Sequence, residues 1–468
     1  MPRIRVMRGD VSRGAVLALA VAACAGEGTS PRPGPTPQLA GVYPVGATAL
    51  AKLAALDVVG DARRDLITVA RSDRSIRVLP GDSAGRFGDA LPFPAGIDAM
   101  QATAGDVNGD GIPDLLAIGH DNQFNLRLGS GGGTFGPAVN YPLRNHGNYL
   151  LVADLNGDAF DDVVAVHDGS GNPVYVTAYL GAATGELHQV WELGTPYFTS
   201  MGIAAGDFDG DGKTDVAVAV SDVRAAALVF HGLGTGAFDA PVALPTTSPE
   251  PDRTDGATAI TAGDLNADGR DDLMIACYGL SNQLVIRLGT ASGFTDPAAL
   301  PLPSPIAVAL GDVNGDGRLD AIASNLDHGT LSLLLGRGDG SFDAPVSLPA
   351  GPAPAFLALA DFDDNGLADV AVTDVSDNAI RVFLTPGRGP ALAPRRAAAP
   401  FPGGRGRQKA GALTPAFSFI PRSGPTRAPQ RHGRDSESRE SRAGCSCGLI
   451  LSACSKQIRA LSLIPSCT

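Results

Sequence analysis

Between residues 25 and 444 this chain carries a single cysteine, Cys277, set in an apolar segment where a small buried hydrophobe is the default reading. The others are Cys24, Cys445, Cys447, Cys454 and Cys467, so no disulfide framework holds the body together. No His-Glu-x-x-His and no cysteine pair with zinc spacing occurs, which removes the common zinc chemistries. The apolar run Ala15 to Ala23 is too short to cross a bilayer. Basic charge is scarce as well: from Leu39 to Gly387, 17 Lys and Arg stand against 44 Asp and Glu, a net of −27. Such a surface argues against nucleic acid, whose phosphates need basic partners. Helical periodicity is poor too. Gly 60 and Pro 36 in 468 residues punctuate short runs of Val, Leu, Ile and Ala, the texture of many strands and turns.

What is present is a repeated acidic loop. Asp207 to Asp215 reads Asp-Phe-Asp-Gly-Asp-Gly-Lys-Thr-Asp, with carboxylates at positions 1, 3, 5 and 9 around a Gly at position 6. Ca2+ takes six to eight oxygens, and acidic side chains at alternate residues of a tight turn can point at one centre. Aligned on position 1, seven such loops begin at Asp57, Asp106, Asp154, Asp207, Asp264, Asp312 and Asp361, at intervals of 49, 48, 53, 57, 48 and 49 residues. A period near fifty accommodates four short strands, one blade of a propeller. The sixth copy shows the order: Ile306 to Leu310, the loop, Ala321 to Ser324, Leu331 to Leu335, the hairpin Gly336 to Phe342, and Pro345 to Leu348. An EF-hand is excluded, because it needs flanking helices and a Glu at position 12, where this chain has Ala117, Val218 or Ala323.

These loops, together with Phe135-Gly-Pro-Ala, Phe238-Asp-Ala-Pro and Phe342-Asp-Ala-Pro, resemble the FG-GAP or VCBS repeats of integrin α-subunit propellers and many bacterial surface proteins. The resemblance covers about Leu39 to Phe401. It implies an all-β fold, a seven-bladed β-propeller of four-stranded antiparallel blades, with Ca2+ in the loop between the first and second strands. It also implies partners on the opposite face. An open ring would expose sheet edges. Gly41 to Gly46 is expected to supply the missing strand of the last blade; Arg395 to Phe401 is the rival.

The expected metal ligands are Asp106, Asn108, Asp110 and Asp114 with the Ile112 carbonyl; Asp154, Asn156, Asp158 and Asp162; Asp207, Asp209, Asp211 and Asp215; Asp264, Asn266, Asp268 and Asp272; Asp312, Asn314, Asp316 and Asp320; and Asp361, Asp363, Asn365 and Asp369. Five or six structural Ca2+ sites follow. In the Asp154 loop Ala159 replaces the sixth-position Gly, where a positive φ would be strained. The first loop, Asp57 to Asp65, has Val59 at position 3 and Ala62 at position 6 and is expected to be empty or weak. Asp, Asn and Gly also favour turns without metal. Several carboxylates in one turn nevertheless repel each other unless a cation neutralises them.

Enzyme signatures come out as coincidences. Gly81-Asp-Ser-Ala-Gly85 and Gly131-Gly-Gly-Thr-Phe-Gly136 match a nucleophile elbow and a dinucleotide fingerprint by letter, yet both occupy the hairpin slot of the repeat. Loops 2–3 and the inter-blade links should share the face away from the acidic loops. That places His120, His167, His328, Arg144, His146, Tyr197 and Arg253 there as a candidate ligand face. The expected function is a non-catalytic binding or adhesion module for protein or glycan; the alternative is a polysaccharide lyase or hydrolase.

Residues 1–23 read as a signal peptide with a basic head of Arg3, Arg5, Arg8 and Arg13, and Val21-Ala22-Ala23-Cys24 resembles a bacterial lipobox. Lipidation of Cys24 would make this an envelope or surface lipoprotein, touching the membrane only through its lipid; an ordinary cleaved signal would make it a secreted protein. Residues 24–38 read as a Pro/Gly-rich tether. Residues 39–401 read as the propeller, and 402–468 as a basic low-complexity tail predicted to be disordered.

Overall fold

A computed structural model describes residues 35–168, 173–222, 225–245, 256–279 and 281–387. The signal segment, Cys24, nearly all of the tether, Arg253, the rival closing strand and the tail lie outside the described residues. Among the described residues the strands form seven four-stranded antiparallel sheets and one two-stranded hairpin, with a single short 3-10 turn at Leu326–His328. Blade 1 comprises Leu50–Leu56, Asp65–Ala70, Ser75–Leu79 and Leu91–Pro94, paired in that order. Blades 2 to 6 repeat the pattern, beginning at Ala99–Gly105, His146–Ala153, Ser200–Gly206, Ala257–Gly263 and Pro305–Gly311. The first strands of successive blades pack against one another, and that of blade 7, Pro354–Ala360, packs back against Leu50–Leu56. The ring is therefore closed, with first strands innermost.

Closure uses the N-terminal strand. Gln38–Pro44 pairs antiparallel with Ala379–Leu384, from Gln38 opposite Leu384 to Pro44 opposite Ala379, and becomes the outer strand of blade 7. The strand begins three residues earlier than the pattern around Gly41 suggested. Its partners lie more than three hundred residues away in sequence, so the two ends of the ring are hydrogen-bonded into one sheet and no edge is left there.

The core is a set of inter-blade layers. Second strands such as Asp65–Ala70 and Asp114–Gly119 are buried along their whole length. Alternation sends successive side chains to opposite faces of a blade. Thus Ile67 and Val69 pack with Ile97, Leu115 and Ala117 of blade 2, while Leu66 and Ala70 pack with Phe362, Ala371 and Val382 of blade 7. Both faces of a blade need apolar residues, which is why these strands read as continuous apolar runs. Outer strands such as Leu91–Pro94 and Val139–Pro142 are mostly exposed.

Candidate metal centres and the opposite face

Every acidic loop joins the first strand of a blade to the second, and its position-9 Asp opens the second strand. That Asp is buried in all seven blades (Asp65, Asp114, Asp162, Asp215, Asp272, Asp320 and Asp369). Its Oδ2 accepts from the backbone N–H of position 2, and its Oδ1 from an N–H just after the third strand, which in blades 1 to 6 belongs to the third-to-fourth hairpin and in blade 7 is Thr385 N. In blade 4 these are Phe208 N at 3.0 Å and Gly232 N at 2.7 Å; in blade 6, Val313 N at 3.0 Å and Gly336 N at 2.8 Å. The hairpin glycines also face the Phe of the repeat signature, Gly232 opposite Phe238 and Gly336 opposite Phe342. A Cβ on Gly336 would sit 2.1 Å from the Leu319 carbonyl, so no side chain fits there. The Phe-Gly hairpin and the acidic loop are thus one hydrogen-bonded unit.

Position 1 caps the turn. Asp207 accepts from the N–H groups of Gly210, Asp211 and Gly212 at 2.8, 3.0 and 2.9 Å. Position 5 accepts from position 7, as Asp110 does from Ile112 at 2.8 Å. These bonds use one lone pair of an oxygen that offers more, so the carboxylates keep acceptor capacity toward a cation. In the Asp207 loop, oxygens of Asp207, Asp209 and Asp211 lie within 4.8 Å of one another, and those of Asp361, Asp363 and Asp369 do so in blade 7. Asp363 Oδ1 is buried with no hydrogen-bond partner, the kind of orphan a cation would satisfy. In blades 2, 3, 5 and 6 position 3 is Asn (Asn108, Asn156, Asn266 and Asn314), an oxygen donor that brings no charge.

The titration of the loops points the same way. Burial pushes Asp114, Asp162, Asp320 and Asp369 up to about 7 and Asp272 up to about 6, with neighbouring loop carboxylates adding to the shift and backbone N–H groups opposing it. Asp65, Asp215 and Asp363 are raised for the same first cause. A bound dication would reverse that balance.

Three features were missed in the sequence. Position 4 takes a positive φ as well as position 6: Gly210 (φ 80), Ala267 (φ 59) and Asp364 (φ 57) show it, and Gly at position 4 in five of the seven loops was the available signal. The expected strain at position 6 is present, with φ 69 at Ala159 and φ 67 at Ala62. Position 8 links blades: Asp161 Oδ2 accepts from Asp106 N at 2.8 Å, and Asp271 Oδ2 from Asp207 N at 3.0 Å. Burial raises both, Asp161 to about 6. Finally, His231 stands where the other blades have Pro80, Leu128, Leu180, Leu288, Leu335 or Leu384. Its Nδ1 is 3.2 Å from Asp215 Oδ2 and 3.5 Å from Asp209 Oδ2, adding a nitrogen donor to the most charged loop.

The proposed ligand face divides. His120, between the second and third strands of blade 2, stacks on His146 with centroids 5.2 Å apart. Asp98 lies 3.7 Å from His120 and 3.5 Å from Arg71, and burial followed by Arg71 lowers the His120 pKa. Tyr197 lies in the link between blades 3 and 4, its carbonyl accepting from Val174 N at 2.8 Å. His328 is exposed in the 3-10 turn of blade 6. His167 corrects the expectation. It is not a loop residue but part of the strand Asp162–Asp168, fully buried and paired opposite Tyr175, because pairing continues two residues into what read as a turn. Its Nε2 lies 2.9 Å from Thr177 Oγ1, which donates to Glu192; Glu192 pairs with the exposed Arg144, whose guanidinium covers the Tyr175 ring. Arg144 and His167 therefore meet through one polar network inside blade 3.

Together these features define a seven-bladed propeller whose blades are joined at one end by acidic turn-and-hairpin units. A family model described as an FG-GAP-like repeat matches residues 57–117, 106–165, 154–218, 207–275, 264–323 and 312–372, and the chain belongs to that family. Each match runs from one acidic loop into the second strand of the next blade, so it spans the inter-blade contact as well as the loop. No curated protein matches the chain. Among solved structures, one of BBS1N in complex with ARL6DN aligns with TM-score 0.52 at 12% identity, covering 75% of this chain and 97% of that one. A lectin of Agrocybe aegerita, described as recognising non-reducing terminal N-acetylglucosamine, aligns with TM-score 0.45 at 17% identity, covering 65% and 81%. At such identity the first likeness speaks to the fold alone.

Proposed function

We propose that this chain is a calcium-stabilised, non-catalytic propeller, exported and lipid-anchored through Cys24, that binds protein or glycan on the end away from its acidic loops. The observation that carries the calcium reading is the convergence of three carboxylates in blades 4 and 7 together with the orphaned, buried Asp363 Oδ1. Asp361, Asp363 and Asp369, and Asp207, Asp209 and Asp211, are the residues that would hold the ion first; the Asn-containing loops follow with less charge. Bound Ca2+ supplies neutralisation of these carboxylates and no group transfer. The chain's own residues do the remaining work, position 1 shaping the turn and position 9 fixing it to the hairpin.

The non-catalytic reading rests on burial. His167, Thr177 and Glu192 form a relay that looks like nucleophilic machinery, but His167 and Thr177 are both fully buried, which argues against contact with a substrate. Support for glycan or protein as ligand comes from the exposed Arg144, His146 and His328 on the end away from the acidic loops. The test is a glycan array probed with and without calcium, followed by a product assay on any hit. Turnover of a bound polysaccharide would replace this reading with the lyase or hydrolase alternative.

A further inference from the structure

The seven inner strands share an irregularity that the acidic loops do not explain. In every blade the pairing of first to second strand shifts at its start, between Ala51 and Leu53 in blade 1 and between Ala99 and Gln101 in blade 2, for example. A bulge of this kind re-aims a side chain out of the sheet. The inserted residue is Met100, Asn148, Met201, Thr258 or Ile306 in blades 2 to 6, while blade 7 inserts Ala355 and Phe356. In blade 1 it is Lys52, one of four lysines in the chain, and its backbone takes a φ of 50°, a left-handed conformation unfavourable for any residue but Gly.

The Lys52 side chain crosses toward other blades. Its Nζ donates to Tyr149 Oη at 3.2 Å, lies 4.4 Å from the centroid of the Tyr149 ring and 4.9 Å from that of Phe356. Tyr149 belongs to the inner strand of blade 3 and Phe356 to that of blade 7, so three strands of the ring meet at one ammonium. All three side chains are partly accessible. Among the described residues no carboxylate pairs with Lys52. Burial alone pulls its pKa down to about 8, and burial, with Asp168 adding to it, pushes the Tyr149 phenol above its ordinary range. A desolvated cation without a counter-charge is costly, and the αL backbone that aims it adds to the cost. Both are kept at the inner strands of the ring, where the other inserted residues are neutral.

We propose that the meeting of these three inner strands is a binding site for a carboxylate-bearing ligand, the carboxylate held by Lys52 Nζ and Tyr149 Oη and the ligand's ring lying on Phe356. The ammonium and the phenol offer two donors to two carboxylate oxygens, and the aromatic face accepts either an aromatic ring or the C–H face of a sugar. The inference deepens the binding reading above without depending on the calcium loops or on the outer ligand face.

The test uses the calcium-loaded full chain at pH 7 and two probes, sodium benzoate and sodium glucuronate, against equal ionic strengths of chloride and inorganic phosphate. Trace acetylation followed by peptide mass spectrometry reads Lys52, with the exposed Lys213 as internal reference. At least one carboxylate is expected to slow Lys52 acetylation about fivefold or more while leaving Lys213 unchanged, the protection expected when a charge-assisted hydrogen bond closes over the amine. The probe that protects tells an aromatic acid from a sugar acid. By calorimetry, Lys52→Met abolishes binding of that probe while melting at or above the parent temperature, and Tyr149→Phe weakens binding about tenfold, the value of one hydrogen bond to a charged group. Equal labelling in carboxylate and chloride, undiminished binding by the folded Lys52→Met variant, or equal protection by phosphate would each overturn the assignment. A negative glycan array beside positive Lys52 protection would fault the outer-face reading and leave the Lys52 site standing.

Discussion

Blade 1 and blade 4 carry the same loop with different contents. Asp57 accepts from Gly60, Asp61 and Ala62 as Asp207 accepts from Gly210, Asp211 and Gly212, and Asp65 holds Val58 N and Gly81 N as Asp215 holds Phe208 N and Gly232 N. Yet blade 1 has Val59 where blade 4 has Asp209, and Ala62 where blade 4 has Gly212. Positions 1 and 9 therefore build the turn whether or not the full ligand set is present, and positions 3 and 5 decide how much charge it gathers. The largest test of that division is removal of calcium. Binding at one hundred times the dissociation constant stabilises by about 2.7 kcal/mol per independent site, so five or six sites amount to on the order of 10 kcal/mol, comparable with the whole stability of a domain. Saturating chelator should lower the melting temperature steeply; an unchanged melt would reduce the acidic loops to plain turns.

Position 9 should matter in blade 1 as it does in a blade with the full ligand set, such as blade 6, once the metal is gone. Asp320→Ala strands two buried donors, Val313 N and Gly336 N, and Asp65→Ala strands Val58 N and Gly81 N together with the partly buried Val59 N. Each orphaned donor costs about 1–3 kcal/mol, so denaturant melts in chelator should show both variants destabilised by about 3 kcal/mol or more. With calcium restored, the blade 6 variant should lose the more. A blade 1 variant close to the parent in chelator would show that Asp65 is not equivalent to its counterparts.

The loop register was legible because carboxylates at fixed offsets and a period near fifty leave few alternatives, and Gly41 to Gly46 could be placed because a ring must close. His231 was invisible for the opposite reason: a lone histidine in a hairpin carries no periodic signal, and only the fold brings it to Asp215. His167 misled because alternation does not say where a strand stops, and the pairing with Tyr175 extends it. Lys52 carries no signal of its own in the sequence, since a bulge leaves no mark in a pattern of period two.

Acid separates His167 from the acidic loops. Burial holds His167 at about 4 against an ordinary 6.5, so the unfolded chain takes up its proton first. Its contribution is fully present above about 6.5 and is lost as pH falls toward 4, to the extent of about 3 kcal/mol. The raised loop carboxylates act in the opposite sense in chelator: with folded values near 7, they favour the folded state at low pH and cost stability as pH rises through 7. Comparing the parent with His167→Phe, which keeps the stack on Tyr175, cancels the carboxylates. The difference between their stabilities should change by a few kcal/mol between pH 7 and pH 4.5, and a constant difference would mean that His167 titrates normally.

The smallest effects belong to position 6, where the two blades can be exchanged in part. A non-Gly residue in the left-handed region costs about 1–2 kcal/mol, of which Gly returns a part as extra freedom of the unfolded chain. Ala159→Gly, at φ 69, should therefore stabilise by about 0.5 kcal/mol in chelator and somewhat more in calcium, because the relaxed turn presents Asp154, Asn156 and Asp158 without strain. Ala62→Gly, at φ 67, should give the same gain in chelator and no additional gain in calcium, since Val59 supplies no ligand. Adding Val59→Asp to Ala62→Gly completes the set on the blade 1 backbone, and equilibrium dialysis should then count one further bound calcium per chain. If the count stays at the parent value while the variant remains folded, the Asp209 position in blade 4 is not what makes its loop a metal site.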